Sequence, residues 1–264
     1  MEEGRPYRLR YVRYRRRRWI RFSRYLRKGE FSRRWHDARR RGKRDAMAFA
    51  FSIERYVSDG DSSVVIPEGV VAIGAGAFRA SSRIEEVFIP EGVTRIAEYA
   101  FASCSNLRSV RLPDSLEVLG ASAFEHCRSL EEVTIPAGCD VLPARAFAGC
   151  FSLRNVRAEE HLRVIGERAF MNCRALEKID FIGGVEGIGV RAFSGCSSAR
   201  SLSLPSLLAF VGDEAFSECG SLVEVEFPEC VDVAGCDVFR GCRAIDFSAM
   251  PEELMYAHPE LCVV

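Results

Sequence analysis

Seven cysteines stand at a constant spacing of 23: Cys104, Cys127, Cys150, Cys173, Cys196, Cys219 and Cys242, each three residues after a phenylalanine. Thiols so placed could act as nucleophiles, zinc ligands or disulfide halves. A nucleophile needs a base beside it, yet the four histidines (His36, His126, His161, His258) occupy unrelated phases. Zinc favours close pairs such as C-x-x-C, and none occurs. The total of 11 cysteines is odd, and no apolar stretch of signal-peptide length follows the basic N-terminus. Both points favour a reducing, cytoplasmic setting with free thiols. Stacked side chains with parallel Cβ vectors are also poorly aimed for bridging. The reading left is a small apolar side chain with a weak S–H donor, packed inside a turn. Of the cysteines off the series, Cys139 sits in an apolar column, and Cys262 is the candidate exposed thiol. The stretch from Gly187 to Ala192 matches G-x-G-x-x-A, but no crossover helix or ribose-binding acid accompanies it. No catalytic residue, metal or cofactor is expected.

The phenylalanines explain the spacing. Phe78, Phe101, Phe124, Phe147, Phe170, Phe193, Phe216 and Phe239 recur every 23 residues without insertion. A fixed period between about 20 and 50 residues marks a solenoid. Alanine precedes the phenylalanine in all but the last unit, where Val238 stands. Apolar residues follow at six and nine places, as in Leu107 and Val110. Within each unit L-x-x-V-x-I-P alternates apolar and polar residues, predicting a short strand with one buried face. Proline closes it, having no N–H for the ladder. A second extended piece, V-x-x-I-G, follows, and A-F-x-x-C is expected to return the chain through a helical turn. One unit cannot bury its own phenylalanine; stacking units about 4.8 Å apart does. The expected class is α/β: a parallel sheet of short strands on one side and helical turns on the other.

The unit G-x-x-A-F-x-x-C-x-x-L-x-x-V-x-[IL]-P-x-x-[VL]-x-x-[IL] resembles the BspA-type leucine-rich repeat, over about residues 64–247 in eight phased copies. The resemblance implies a curved solenoid with its sheet on the concave side. It also implies a non-enzymatic module for protein interaction or adhesion, often at microbial surfaces. The chain departs from the pattern in its arginine-rich start and in the absence of proline at Glu159 and Ile182.

The neutral net charge hides two opposed halves. Residues 1–45 carry 19 Lys/Arg and 5 Asp/Glu, a net of +14, and the remainder carries −14. The expected division is a basic arm (1–45, disordered or helical), a cap segment (46–63), the solenoid (64–247) and a C-terminal cap (248–264). In the arm, Arg15, Arg16, Arg17, Arg18, Trp19 and Arg21 interleave cations with an aromatic. Such a stretch suits RNA or DNA or an anionic membrane surface, or stays solvated. Trp19, Phe22 and Leu26 could share one face of a helix. Met47, Phe49, Phe51 and Ile53 alternate as a capping strand or hairpin would, with a short helix as the alternative, and Pro251–Tyr256 reads as a short capping helix.

On the outward face of the first strand, two columns stand out. Seven after each phenylalanine come Glu85, Arg108, Glu131, Arg154, Glu177 and Arg200, alternating in sign. A ladder of cross-strand ion pairs is the structural expectation, and a recognition strip the functional one. Ten after come Phe88, Arg111, Thr134, Arg157 and Asp180. Phe88, Arg108, Arg111, Arg154, Arg157, Lys178 and Asp180 are therefore the candidate partner-binding residues, since aromatic and arginine anchors are enriched in interface hot spots. A protein is the expected partner, and no small-molecule substrate is.

Overall fold

The computed structural model describes residues 12–13, 19–20, 51–53, 62–158, 161–180, 184–228, 232–249 and 252. Two short strands, β1 (Val12–Arg13) and β2 (Trp19–Ile20), pair antiparallel, and β1 pairs antiparallel with β3 (Phe51–Ile53). From there the chain alternates between two parallel ladders. The first holds β4 (Ser63–Val65), β6 (Glu86–Phe88), β8 (Ser109–Arg111), β10 (Glu132–Ile135), β12 (Asn155–Ala158), β14 (Lys178–Asp180), β16 (Ser201–Ser203) and β18 (Glu224–Glu226). The second, begun by β3, continues through β5 (Val70–Ile73), β7 (Arg95–Ile96), β9 (Val118–Leu119), β11 (Val141–Leu142), β13 (Val164–Ile165), β15 (Gly187–Ile188), β17 (Phe210–Val211) and β19 (Val233–Ala234).

Register follows the 23-residue period. Val87 lies beside Val110, Val133 beside Val156, and Leu202 beside Val225. Each first-ladder strand turns its central apolar residue inward and its flanks outward, as period-two alternation requires. The prolines end these strands and start a turn: Leu116 N–H donates to Pro113 O at 3.0 Å and Cys139 N–H to Pro136 O at 3.0 Å. The second ladder is divided between β9 and β11, and the first between β12 and β14. The latter division falls where proline is replaced, and Glu159 and Ile182 lie outside the described residues.

The eight repeat phenylalanines form one buried column. Neighbouring rings stack with centroids 4.8 to 5.6 Å apart and planes within 15° of parallel. That spacing is the rise of one coil on the next. Strand core, phenylalanine column and ladder thiols belong to a single continuous hydrophobic cluster.

The A-F-x-x-C segment is not helical, which corrects the expected helical turns and the α/β class; the architecture is a β-solenoid. The physical cause is in the backbone. Residues two before and two after each phenylalanine take left-handed φ, for example Tyr99 at 56° and Ser103 at 60° around Phe101. Left-handed residues at this interval prevent successive N–H groups from meeting carbonyls four residues back. Alternate amides point along the stack instead: Gly76 N–H to Glu98 O (2.9 Å), Phe78 N–H to Ala100 O (2.7 Å) and Ala80 N–H to Ala102 O (2.8 Å). The intervening amides close four-residue turns, such as Arg79 N–H to Gly76 O at 3.1 Å. Left-handed non-glycine residues cost on the order of 1 kcal/mol each. The hydrogen bonds between coils and the buried rings offset that cost.

The arch interlocks from coil to coil. Two places after the phenylalanines stand His126, Gly149, Asn172, Gly195, Glu218 and Gly241. A Cβ on Gly149 would meet His126 Nδ1, one on Gly195 would meet Asn172 Oδ1, and one on Gly241 would lie 3.0 Å from the Glu218 carboxylate. Each bulky residue thus leans over the next coil's glycine.

At the N-terminal side of the second ladder, Phe51–Ile53 form strand β3 and Ile53 is buried, while Met47 and Phe49 lie outside the described residues. Trp19, which could share one face of a helix with Phe22 and Leu26, lies in a two-residue strand; Phe22 and Leu26 lie outside the described residues. A 3-10 turn at Phe247–Ala249 follows the last coil. Of the capping helix expected over Pro251–Tyr256, only Glu252 is described.

Candidate binding face

The ladder thiols come first, because they had the chemistry to make a reactive site. All seven are fully buried and unbridged. Each Sγ donates to the carbonyl of the phenylalanine one coil earlier: Cys104 to Phe78, Cys127 to Phe101, and so on to Cys242 to Phe216, at 3.0 to 3.4 Å. A side chain there must be small, apolar and able to donate one weak hydrogen bond, which is the description of a thiol. Burial pushes Cys104 and Cys173 up to about 12 and raises Cys127 and Cys150. Thiols held protonated are poor nucleophiles and poor metal ligands. Cys139 is buried in the core as its column predicts, while Cys236 is exposed and Cys262 lies outside the described residues. Among the described residues no three His, Cys, Asp or Glu side chains gather as a metal site would require.

The outward face of the first ladder is the second candidate. Every side chain anticipated there is exposed: Phe88, Arg108, Arg111, Arg154, Arg157, Lys178 and Asp180. Phe88 is the conspicuous one, at 50% exposure. Strand register sets Phe88 directly beside Arg111 and beside Val65 on the other flank. Arg157 lies beside Thr134, and Asp180 beside Ser203, whose hydroxyl donates to Glu226 at 2.7 Å.

The ion-pair ladder expected from Glu85, Arg108, Glu131, Arg154, Glu177 and Arg200 is not formed. These residues are joined through their backbones, for instance Arg108 N–H to Glu85 O at 2.7 Å and Arg154 N–H to Glu131 O at 2.9 Å. Among the described residues, none of their charged groups comes within 4.0 Å of an opposite one. The ion pairs lie elsewhere: Arg163–Glu186 on the second ladder at 2.9 Å, and Glu214 held between Arg191 (2.5 Å) and Arg240 (2.7 Å) on the arch. The hydrogen bond from Arg191 lowers the Glu214 pKa. Exposed pairs gain little and hold two long side chains still, so the strand charges stay solvated.

Sequence reasoning missed a second feature. Val118, Val141, Val164 and Phe210 form an exposed apolar row on the second ladder. The signal was present six places before Phe124, Phe147, Phe170 and Phe216, interrupted by Gly187 before Phe193, but a two-residue strand is too short to show which of its positions faces out. Arg15, Arg16, Arg17, Arg18 and Arg21 lie outside the described residues, and of Trp19 only the backbone is described.

The BspA type leucine rich repeat region matches residues 56–177 and 163–260, in 6 copies. The chain belongs to the BspA-type leucine-rich-repeat family. Two solved structures agree on the fold. The T. pallidum leucine rich repeat protein is 28% identical, with 81% of this chain and 88% of that one covered and a TM-score of 0.53. A leucine-rich repeat protein from Eubacterium ventriosum is 19% identical over 72% of this chain and 45% of that one, at a TM-score of 0.50. A leucine rich cell surface protein from Faecalibacterium prausnitzii is 21% identical, covering 75% and 78%, at a TM-score of 0.45. No curated protein matches the chain. This leucine-rich-repeat chain is therefore a repeat scaffold. Among its described residues no helix is long and apolar enough to cross a membrane.

Proposed function

We propose that this leucine-rich-repeat protein is a non-enzymatic scaffold that captures a protein partner on the outward face of its first ladder. Phe88, Arg108, Arg111, Arg154, Arg157, Lys178 and Asp180 are its contact residues. The observation that carries the reading is the position of a half-exposed Phe88 beside Arg111, whose guanidinium has no ion partner among the described residues. Aromatic and arginine side chains supply most hot spots. An unpaired charge on a rigid strand loses little conformational freedom when a partner supplies its counter-ion. The unbridged cysteines suit the reducing, cytoplasmic setting expected from the sequence.

The test is capture of partners on the full chain beside R111E/R157E. Reversing both charges is expected to weaken the captured complex at least about tenfold, equivalent to about 1.4 kcal/mol. Unchanged affinity with both arginines reversed would remove this face from the function.

A further inference from the structure

We infer that the partner presents an α-helix, laid along the stack across β4 to β12, whose facing side chains run apolar, basic, acidic, basic, acidic from turn to turn. This rests on reading the outward face of the first ladder as the binding surface, and adds what that surface selects.

The five strands form one hydrogen-bonded sheet. Its outward rows, counting the residue just before each strand, alternate in sign. β6 presents Glu85 and Glu86, and β8 presents Arg108 and Arg111, all exposed. β10 follows with Glu131 and Glu132, and β12 with Arg154 and Arg157, again exposed. The row of β4 carries no charge, and its Val65 lies beside Phe88 of β6. Among the described residues, no carboxylate of these rows comes within 4.0 Å of a guanidinium. Both signs are left for an occupant to meet. Only one whose own charges alternate in step can meet them all.

The step length selects a helix. Neighbouring strands lie about 4.8 Å apart, and the stacked rings of these coils have centroids 4.8 to 5.4 Å apart. An α-helix advances about 5.4 Å per turn, so one turn passes one coil. Residues i, i+4, i+7, i+11 and i+14 share a face and span about 21 Å, enough for the five rows. The width also agrees. The backbone from Arg108 to Arg111 covers about 10 Å, against a helix diameter of about 10–12 Å.

Other occupants fall out of step. An extended peptide turns a side chain to the same face every 6.6 Å or so, and drifts by about one row within three places. A nucleic acid carries one sign throughout and would be repelled at Glu131 and Glu132. The uncharged row sets the direction of the helix. An apolar residue at i covers Val65 and Phe88, and the basic residue at i+4 meets Glu85 and Glu86.

Two labelled peptides test this by fluorescence anisotropy on the full chain, at about 0.05 M salt, where the Debye length exceeds about 10 Å. The first carries Leu, Lys, Glu, Lys and Glu at i, i+4, i+7, i+11 and i+14. The second carries Leu, Lys, Lys, Glu and Glu there, and both have alanine and glutamine elsewhere. Their composition is equal, so any general attraction to residues 1–45 acts on both alike. The wild type should bind the first at least about tenfold more tightly. R108E/R111E/E131R/E132R keeps the net charge but changes the row order from minus, plus, minus, plus to minus, minus, plus, plus. With its fold checked by far-UV circular dichroism, it should prefer the second peptide by a similar factor. Comparing each peptide on both proteins cancels differences in peptide helicity. The first peptide with prolines on its solvent side, which break the helix, should lose its binding. The inference is overturned if neither peptide binds, if the wild type binds both equally, or if the preference does not switch in the variant. Undiminished binding of the proline form, as an extended occupant would give, also overturns it. If R111E/R157E still weakens partner capture while the wild type does not discriminate between the peptides, the helix is lost and the binding face stands. Unaltered capture by R111E/R157E, beside peptides bound without preference, removes both.

Discussion

Gly195 offers the sharpest test of how the coils interlock. Its φ is +77°, and an added Cβ would collide with Asn172 Oδ1, on the coil before it. Gly195→Ala therefore carries two separable costs. A left-handed alanine costs about 1–2 kcal/mol, a conformation the fold already tolerates at Ala80, where φ is 57°. Turning the Asn172 side chain out of the way costs about 0.5–1.5 kcal/mol more. The single substitution should thus destabilise by about 2–3 kcal/mol. In N172A/G195A the steric part disappears, leaving the left-handed cost plus a few tenths for losing asparagine at its own left-handed position. A double-mutant cycle by urea unfolding, followed by far-UV circular dichroism, should give a coupling of about 1 kcal/mol in favour of the pair. Gly220→Ala is the control: nothing lies within 4 Å of the position its Cβ would take. Additivity of the two changes to within about 0.5 kcal/mol, or a neutral Gly195→Ala, would refute the interlock.

Phe147→Ala, which empties one place in the ring stack between Phe124 and Phe170 at 5.4 and 5.6 Å, should cost about 3–5 kcal/mol, read as a drop in urea midpoint. In native protein at neutral pH a thiol reagent should label Cys236 and leave the seven ladder cysteines unreacted until urea is added; labelling of Cys150 at the same rate would refute their burial. Because burial raises Cys104 and Cys173 from 9.0 to about 12, the folded chain retains protons that the unfolded chain loses. Stability should be independent of these groups below pH 9 and fall as pH rises from about 9 to 12; an unfolding free energy flat across that window would count against the assignment. If residues 1–45 bind nucleic acid, deleting them should abolish salt-sensitive retention on a polyanion resin, and retention that survives would place that affinity elsewhere.

The fold was legible because the solenoid repeats its own evidence. One copy of A-F-x-x-C-x-x-L would be ambiguous, but eight phenylalanine-centred variants of it in phase fix the coil length, the inward column and the strand containing Val87 or Val133. What could not be read was the arch. Alanine, phenylalanine and cysteine in a short span favour a helical turn on local grounds, and nothing local marks Tyr99, Arg145 or Glu214 as left-handed. Their φ is imposed by hydrogen bonds to the next coil, a non-local cause. The same limit explains the unformed ion pairs. Alternating Glu and Arg give signs and register, while whether Arg108 closes on Glu85 depends on side-chain entropy and solvation that spacing does not encode. The exposure of Phe88 was readable, since its column is polar in most other units.

The coil length is 23 residues, but the chain has a second, longer period. Removing a single coil would rejoin every core column, leave each remaining sulfur over a ring-bearing carbonyl and still fold. It would also bring two rows of like sign together and set glycine against glycine, or bulk against bulk, on the arch. Removing two coils, 46 residues, restores both alternations. Backbone and interior thus count in ones while the exterior counts in pairs, and viable length variants of this gene should gain or lose coils two at a time.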